Sequence, residues 1–378
     1  MSEQMNIFDL MADDERERFA PKKSIDWKWR FADYPKEKNG IKVFSCFACG
    51  GGSTMGYKLA GCEVLGCVEI DPKMNEIYVK NHHPKHNFCM DLREFNKLPN
   101  DKIPEELFNL DILDGSPPCT TFSMAGEREE SWGKKKKFRE GQKEQTLDDL
   151  SFVFIDTVEK LKPRVVIMEN VEGLLLGEAW SYVQQIYKRF AEAGYLAHHW
   201  LLKGEQMGIP QTRHRVFFIA CRSDLQIDPS WIDMSFNYCE IPYCEIKSEN
   251  GKPIDKSRRL YKILLQAERG DKDLGDVVER LEGKTSLFSH RLIYDDCVMS
   301  TITANCEYFR FEDKTGIPNI DIIHSQTFPE DYDFLKQPIV YVCGMSVPPV
   351  MMKRVVQRLI DQGVFSYKDE ETLSGGRR

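Results

Sequence analysis

The sequence contains no uninterrupted apolar run approaching the ~18 residues that a membrane span requires. A basic, apolar leader is missing too: residues 1–19 are acidic and broken by charge, which argues against a secretory signal. Positive charge is not in excess, since 52 Lys and Arg stand against 60 Asp and Glu, for a net −8. That disfavours a protein that coats nucleic acid by bulk charge, although a local basic cleft remains compatible with it. Cysteine is thin and scattered, 12 in 378 residues, far below the density of a disulfide-stapled secreted scaffold. Reduced thiols in the cytoplasm are the expectation. There are no internal repeats and no long low-complexity tract. What is present is 41% hydrophobic and 30% charged residues, an ordinary globular composition, over a length that suits about two domains.

Residues 1–40 are polar, with Trp27, Trp29 and Phe31 as apolar anchors, and read as an N-terminal arm that docks loosely. Short apolar runs at 43–47, 63–68, 111–114, 165–168 and 216–220 read as buried strands. Helical stretches at 53–60, 150–161 and 179–193 lie between them. This alternation predicts an α/β fold with a parallel, doubly wound sheet. Beyond residue 222 the spacing becomes irregular, with one amphipathic helix expected near 256–282. Residues 223–330 are therefore expected to form a smaller second domain. The 348–362 helix returns within 331–378 to the first domain, which comprises 41–222 plus 331–378.

The run Cys46-Phe47-Ala48-Cys49-Gly50-Gly51-Gly52 leads from a strand into a helix. Glycines there permit positive φ and close approach to a ligand, and the helix N-terminus favours an anion. The next strand ends in Glu69-Ile70-Asp71, and an acid at that position commonly holds both hydroxyls of a ribose. Asp91 is a third acid, after a short segment at 87–90. Together these point to an adenosine-containing cofactor; a tight turn with no ligand is the alternative. Cys46-x-x-Cys49 has only Cys239-x4-Cys244 as a possible second pair, so no metal site is expected.

Asp114-Gly115-Ser116-Pro117-Pro118-Cys119 follows a strand directly. Two prolines stiffen the backbone and hold Cys119 where open α/β sheets place their ligands. A small buried hydrophobe is the usual fate of a lone cysteine; the rigid polar setting favours a nucleophile. A zinc deaminase would need P-C-x-x-C and H-x-E, and Phe122 stands where the second cysteine belongs. Glu169 ends the 165–168 strand, where a carboxylic acid can hold a proton for a ring nitrogen or simply cap a helix. Arg213 and Arg215, two apart, share one face of a strand and suit phosphate or base recognition, or a solvated strand end.

Taken in order, Phe47–Gly52, Glu69, Asp91, Pro117-Pro118-Cys119, Glu169-Asn170-Val171, Gln211-x-Arg213-x-Arg215, Thr301-Ile302-Thr303, 326–332 and 344–349 resemble the cytosine-C5 DNA methyltransferases. The resemblance covers about 41–222 and 290–362. Two positions depart from the family pattern: Cys49 stands for its usual glycine and Met345 for its usual asparagine. The resemblance implies a Rossmann-like S-adenosylmethionine methyltransferase domain joined to a target-recognition domain. It implies a sequence-specific DNA (cytosine-5)-methyltransferase that releases S-adenosylhomocysteine, with an RNA (tRNA) cytosine methyltransferase or a non-catalytic DNA-binding relative as alternatives.

By the same resemblance, Cys119 adds to C6 of a flipped cytosine, Glu169 binds the N3 and N4 edge, Arg215 positions the base and Arg213 holds the DNA backbone. Phe47, Ala48, Gly50, Gly52, Glu69, Ile70, Asp91, Leu92, Pro118 and Leu150 form the cofactor pocket, closed by Ser346 and Val347. Ser123, Lys134, Lys135, Lys136, Lys137 and Arg139, in a long loop, contact DNA. The implied partners are double-stranded DNA and a cognate restriction endonuclease, for a monomeric, cytoplasmic enzyme of bacterial or phage origin, with no membrane association.

Overall fold

The computed structural model describes residues 21–118, 150–283 and 290–366, with two-residue strands at 135–136 and 145–146. The strands, in chain order, are β1 (Lys42–Cys46), β2 (Glu63–Val68), β3 (His86–Phe88), β4 (Ile112–Gly115), β5 (Lys135–Lys136), β6 (Gln145–Thr146), β7 (Val165–Val171), β8 (Tyr195–Lys203), β9 (His214–Arg222), β10 (Arg291–Ile293) and β11 (Tyr308–Arg310). Seven of them form one sheet in the order β3-β2-β1-β4-β7-β9-β8. Parallel pairing runs from β3 to β7, while β9 lies antiparallel between β7 and β8.

The sheet is therefore mixed, where sequence alternation predicts a parallel one. The cause is the link between β8 and β9: it holds only a single 3₁₀ turn, Gly204–Met207, and without a crossover helix consecutive strands pair antiparallel. β8 itself escapes sequence reading because it is an edge strand whose fully buried residues are only Tyr195 and Leu202.

Alternation along the strands builds two cores. Along β7, Val166 and Met168 face the helices Leu92–Lys97, Leu150–Leu161 and Trp180–Glu192. Val165 and Ile167 face the opposite side, with Tyr57 of the Gly52–Leu59 helix and Val355 and Leu359 of the Pro349–Asp361 helix. Those last two helices approach closely at Gly56, where a Cβ would lie 2.5 Å from the Pro349 carbonyl oxygen. The stretch Ile339–Asp361 is long and apolar enough to cross a bilayer by length and composition only; here Val350, Met351, Val355 and Leu359 fill this core, while Val342 and Cys343 pack in a separate cluster.

Ile232 and Met234 also pack into the second core. Both residues lie in the 223–330 segment, which shares this core before it builds its own lobe. The smaller lobe has its own core of Leu260, Ile263, Leu274, Val277, Leu292 and Phe309. The single helix expected near 256–282 is two, Arg259–Leu264 and Leu274–Glu282. Gly270 turns the chain at φ 110°, and Asp273 caps the second helix by accepting from the Gly275 and Asp276 amides.

The arm differs from its expectation as well. Trp29 is only 6% exposed, and its Nε1–H donates to the Thr327 carbonyl at 2.8 Å. Residues 21–34 are packed rather than loosely held, because the aromatic anchors find an apolar seat on the 322–334 segment.

Candidate active site

A cavity of about 860 Å³ lies across the carboxyl ends of the central strands, bounded on the far side by Ser300–Cys306 and the Gly344–Ser346 turn. This is the crevice where an open α/β sheet binds ligands, and its volume suits a ligand of nucleoside size with room for a second group.

One half is built on β1 and β2. After Cys46 the chain turns through Phe47 (φ 56°), Cys49 (φ 47°) and Gly51 (φ 83°) into the Gly52–Leu59 helix. That turn aims the Cys49 amide at Glu69, whose Oε2 accepts it at 2.7 Å. Oε1 accepts the Asp71 amide at 2.8 Å. Burial pushes the Glu69 carboxyl above the usual range, against the pull of these two donors. A carboxylate oxygen has two acceptor positions, so each retains one for a ligand hydroxyl. Asp71 also borders the cavity and caps the Pro72–His82 helix by accepting from the Lys73 and Met74 amides. Asp91 caps the Leu92–Lys97 helix through the Arg93 amide at 2.8 Å and also borders the cavity. Phe47, Ile70, Leu92, Pro118, Leu150 and Ser346 complete this half of the wall.

Four residues expected in the pocket are not on its wall: Ala48, Gly50, Gly52 and Val347. The glycines serve packing beneath the loop. A Cβ on Gly50 would lie 2.8 Å from Val342 Cγ1, and one on Gly52 would lie 2.2 Å from the Val347 carbonyl oxygen. Val347 backs the turn from the core, and Ala48 accepts the Gly51 amide to close it.

The other half is built on β4, β7 and β9. Glu169, near the end of β7, pairs through Oε1 with Arg215 Nε at 2.8 Å, and Arg215 Nη1 donates to the His214 carbonyl at 2.7 Å. The next residue, Asn170, donates Nδ2–H to the Pro117 carbonyl at 3.4 Å and accepts the Val171 amide at 2.8 Å. The Pro117–Pro118 bend is thus tied to the strand that carries Glu169. Cys119 lies just outside the described residues, as do Ser123, Lys134, Lys137 and Arg139. Of Lys135 and Lys136 only the backbone pairing with Gln145–Thr146 is described.

Arg213 departs from the role expected of it. It borders the cavity but is only 3% exposed. Its Nη1 donates to the Ile302 carbonyl at 2.9 Å, and its Nη2 to the Gly344 and Ser346 carbonyls at 3.0 and 2.9 Å. Both terminal nitrogens are committed to main chain, so the group is a clasp between segments rather than a hand held out to a DNA phosphate. Burial, then the neighbouring Arg215, pulls its pKa down to about 9.

Gln211, quoted above only as part of a motif, is the residue that sequence reading undervalued. Fully buried, it donates to the Ser325 carbonyl and to Gln326 Oε1, and it accepts the Ile302 amide at 2.8 Å. Gln326 in turn donates to the Ser346 carbonyl at 2.7 Å. His214 was passed over too; it borders the cavity with Glu172 at 3.2 Å and Glu205 at 2.9 Å from its two ring nitrogens. The signal for Gln211 is its place at the head of the Gln211-x-Arg213-x-Arg215 spacing.

A mixed seven-stranded sheet with one antiparallel strand, a glycine turn after β1 and an acid after β2 defines a Rossmann-like methyltransferase fold. The chain belongs to the C-5 cytosine-specific DNA methylase family, whose model it matches over residues 41–306. It is 32% identical to the type II methyltransferase M.FnuDI of Fusobacterium nucleatum over 50% of this chain and 48% of that protein. With the type II methyltransferase M.NgoFVII of Neisseria gonorrhoeae it shares 25% identity over 82% of this chain and 84% of the relative. The chain spans about half the length of the relatives it matches at the higher identity. Among solved structures, Spodoptera frugiperda DNMT2 superposes with a TM-score of 0.57 at 15% identity, covering 85% of this chain and 100% of the other.

Proposed function

We propose that the protein is a sequence-specific DNA (cytosine-5)-methyltransferase. The observation that carries this reading is the joining in one cavity of a ribose-type acid, Glu69, with the Glu169–Arg215 pair beside the Pro117–Pro118 bend. S-adenosylmethionine fits the first half on the chemistry of its donors. Glu69 keeps acceptor positions for two hydroxyls, Asp91 offers a carboxylate to an adenine amino group, and Phe47, Ile70 and Leu150 give apolar faces. When bound, that cofactor supplies an electrophilic methyl group.

The chain's own part begins with Cys119. Its thiolate forms a bond to C6 of the target cytosine, and the C5–C6 π pair moves to C5, which an intact aromatic ring does not make nucleophilic. Glu169 holds the proton at N3 and accepts from the N4 amino group, which offsets the charge pushed into the ring. Arg215 fixes the Glu169 carboxylate and contacts the base. After C5 gains the methyl group, a base removes the C5 proton, the electrons re-form the double bond, and the Cys119 thiolate leaves. A cytosine in a duplex must be flipped out to reach this site, at a cost of a few kcal/mol offset by contacts in the pocket. Residues 223–330, which face the cavity through Ser300–Cys306, are the part assigned to reading sequence.

Bisulfite sequencing of DNA from cells that express the protein tests this directly. The expected result is protection of cytosines at one short recurrent sequence. Unprotected DNA, with C5 methylation appearing instead on cellular RNA, would reassign the substrate to RNA.

A further inference from the structure

Residues 21–34 precede the family match at 41–306, yet they reach the floor of the cofactor loop. At one end, the Lys22 amide donates to the Asn237 carbonyl and the Cys239 amide to the Lys22 carbonyl, both at 2.9 Å. Ser24 and Asp26 each accept from Arg354 Nη2 at 3.0 Å. At the other end, the Trp29 carbonyl accepts the Glu330 amide at 3.0 Å, and the Phe31 amide donates to the Asp331 carboxylate at 3.1 Å. The residue after Asp331 is Tyr332, whose hydroxyl donates to the Gly50 carbonyl.

The Gly50 carbonyl also lies 3.1 Å from His82 Nε2. A carbonyl only accepts, so that nitrogen carries the proton. Burial pulls the His82 pKa down to about 3, and its Nδ1 is buried without a partner; the ring is neutral, and among the described residues the Gly50 carbonyl is its one hydrogen-bond partner. The Phe31 ring packs 6.2 Å from Tyr332 and 6.3 Å from His82, centroid to centroid. Gly51 leaves no slack: a Cβ there would lie 2.1 Å from His82 Nε2. One residue before Gly50, the Cys49 amide makes the 2.7 Å bond that orients Glu69.

We propose that the 21–34 arm is a positioning strap for the cofactor loop. It acts through Asp331 and Tyr332 on the Gly50 carbonyl, and so sets the Cys49–Glu69 bond that presents the carboxylate to the ribose. Trp29, Phe31 and Tyr332 are positioning residues for S-adenosylmethionine, outside the cavity wall. The proposal rests on the reading of the Glu69 half as the cofactor site.

The test is calorimetric titration of S-adenosylhomocysteine into the full chain, beside Tyr332→Phe, which keeps the ring and removes the hydroxyl, and Trp29→Ala. Tyr332→Phe is expected to bind it roughly three- to ten-fold more weakly, as befits one lost hydrogen bond, and Trp29→Ala, which also removes a buried ring, at least as much, with duplex DNA affinity and kcat near wild type and KM for S-adenosylmethionine raised. The double variant is expected to lose less than the product of the two, since both act on one path. Wild-type affinity in a folded Tyr332→Phe would overturn the strap, as would equal losses for S-adenosylhomocysteine and DNA. A wild-type chain that does not bind S-adenosylhomocysteine would overturn the cofactor reading itself.

Discussion

Two buried carboxylates flank β1, and their different partners give them different work. Glu69 receives main-chain amides, which hold it as an acceptor toward the cavity. Asp114 receives only hydroxyls, Ser45 Oγ at 3.0 Å and Tyr57 Oη at 3.1 Å. Burial dominates there and pushes its pKa from 3.8 up to about 7. A carboxyl whose pKa is raised by folding holds its proton more tightly in the folded state. Its contribution to stability is fully present below about pH 4 and is lost as pH rises through about 7, by an amount on the order of 4 kcal/mol. Urea unfolding of wild type and Asp114→Asn between pH 5 and 8 checks this. The stability of wild type relative to the variant is expected to fall as pH rises; a difference independent of pH would remove the assignment.

At the scale of elements, the site depends on segments far apart in sequence being held in register. Arg213 joins the start of β9 to Ile302 and to the Gly344–Ser346 turn, and Gln211 and Gln326 repeat the stitch. Arg213→Met keeps much of the length but takes the side-chain donor from the Ile302 and Gly344 carbonyls, while the Ser346 carbonyl keeps its bond from Gln326. A loss of at least ~2 kcal/mol in unfolding free energy is expected, since each unsatisfied buried group costs about 1–3 kcal/mol. An unchanged unfolding midpoint would mean that the clasp does not hold the segments. The clasp also shows what a linear pattern leaves out. The spacing Gln211-x-Arg213-x-Arg215 marks polar residues that belong together, and Arg215 does meet Glu169. Nothing in that spacing tells which guanidinium meets a carboxylate and which meets main-chain carbonyls some hundred residues on. Likewise the glycines of the turn were legible as necessary, but their neighbours Val342, Val347 and His82 come from other elements, so their packing role was not.

At the scale of the whole molecule, the architecture was legible where one strand and the helix after it carry their own signal. β1, β2, β4 and β7 read as buried strands because both of their faces are covered and their runs are apolar. The Leu150–Leu161 helix read equally clearly from its periodicity. The antiparallel placing of β9, the edge strand β8 and the seating of the arm were hidden, because each is decided by a partner distant in sequence. The cavity sits where these two kinds of information meet, between a sheet edge written locally and a second lobe placed by long-range contacts. The proposed chemistry turns on covalent attack by Cys119. Incubation with S-adenosylmethionine and a duplex carrying 5-fluorocytosine at the methylated site tests that attack, because fluorine at C5 blocks the final elimination. A complex that survives denaturation and maps to Cys119, absent from a Cys119→Ser variant that still binds DNA, is the predicted result. Methylation of ordinary duplex by a wild-type protein that forms no such complex would contradict it.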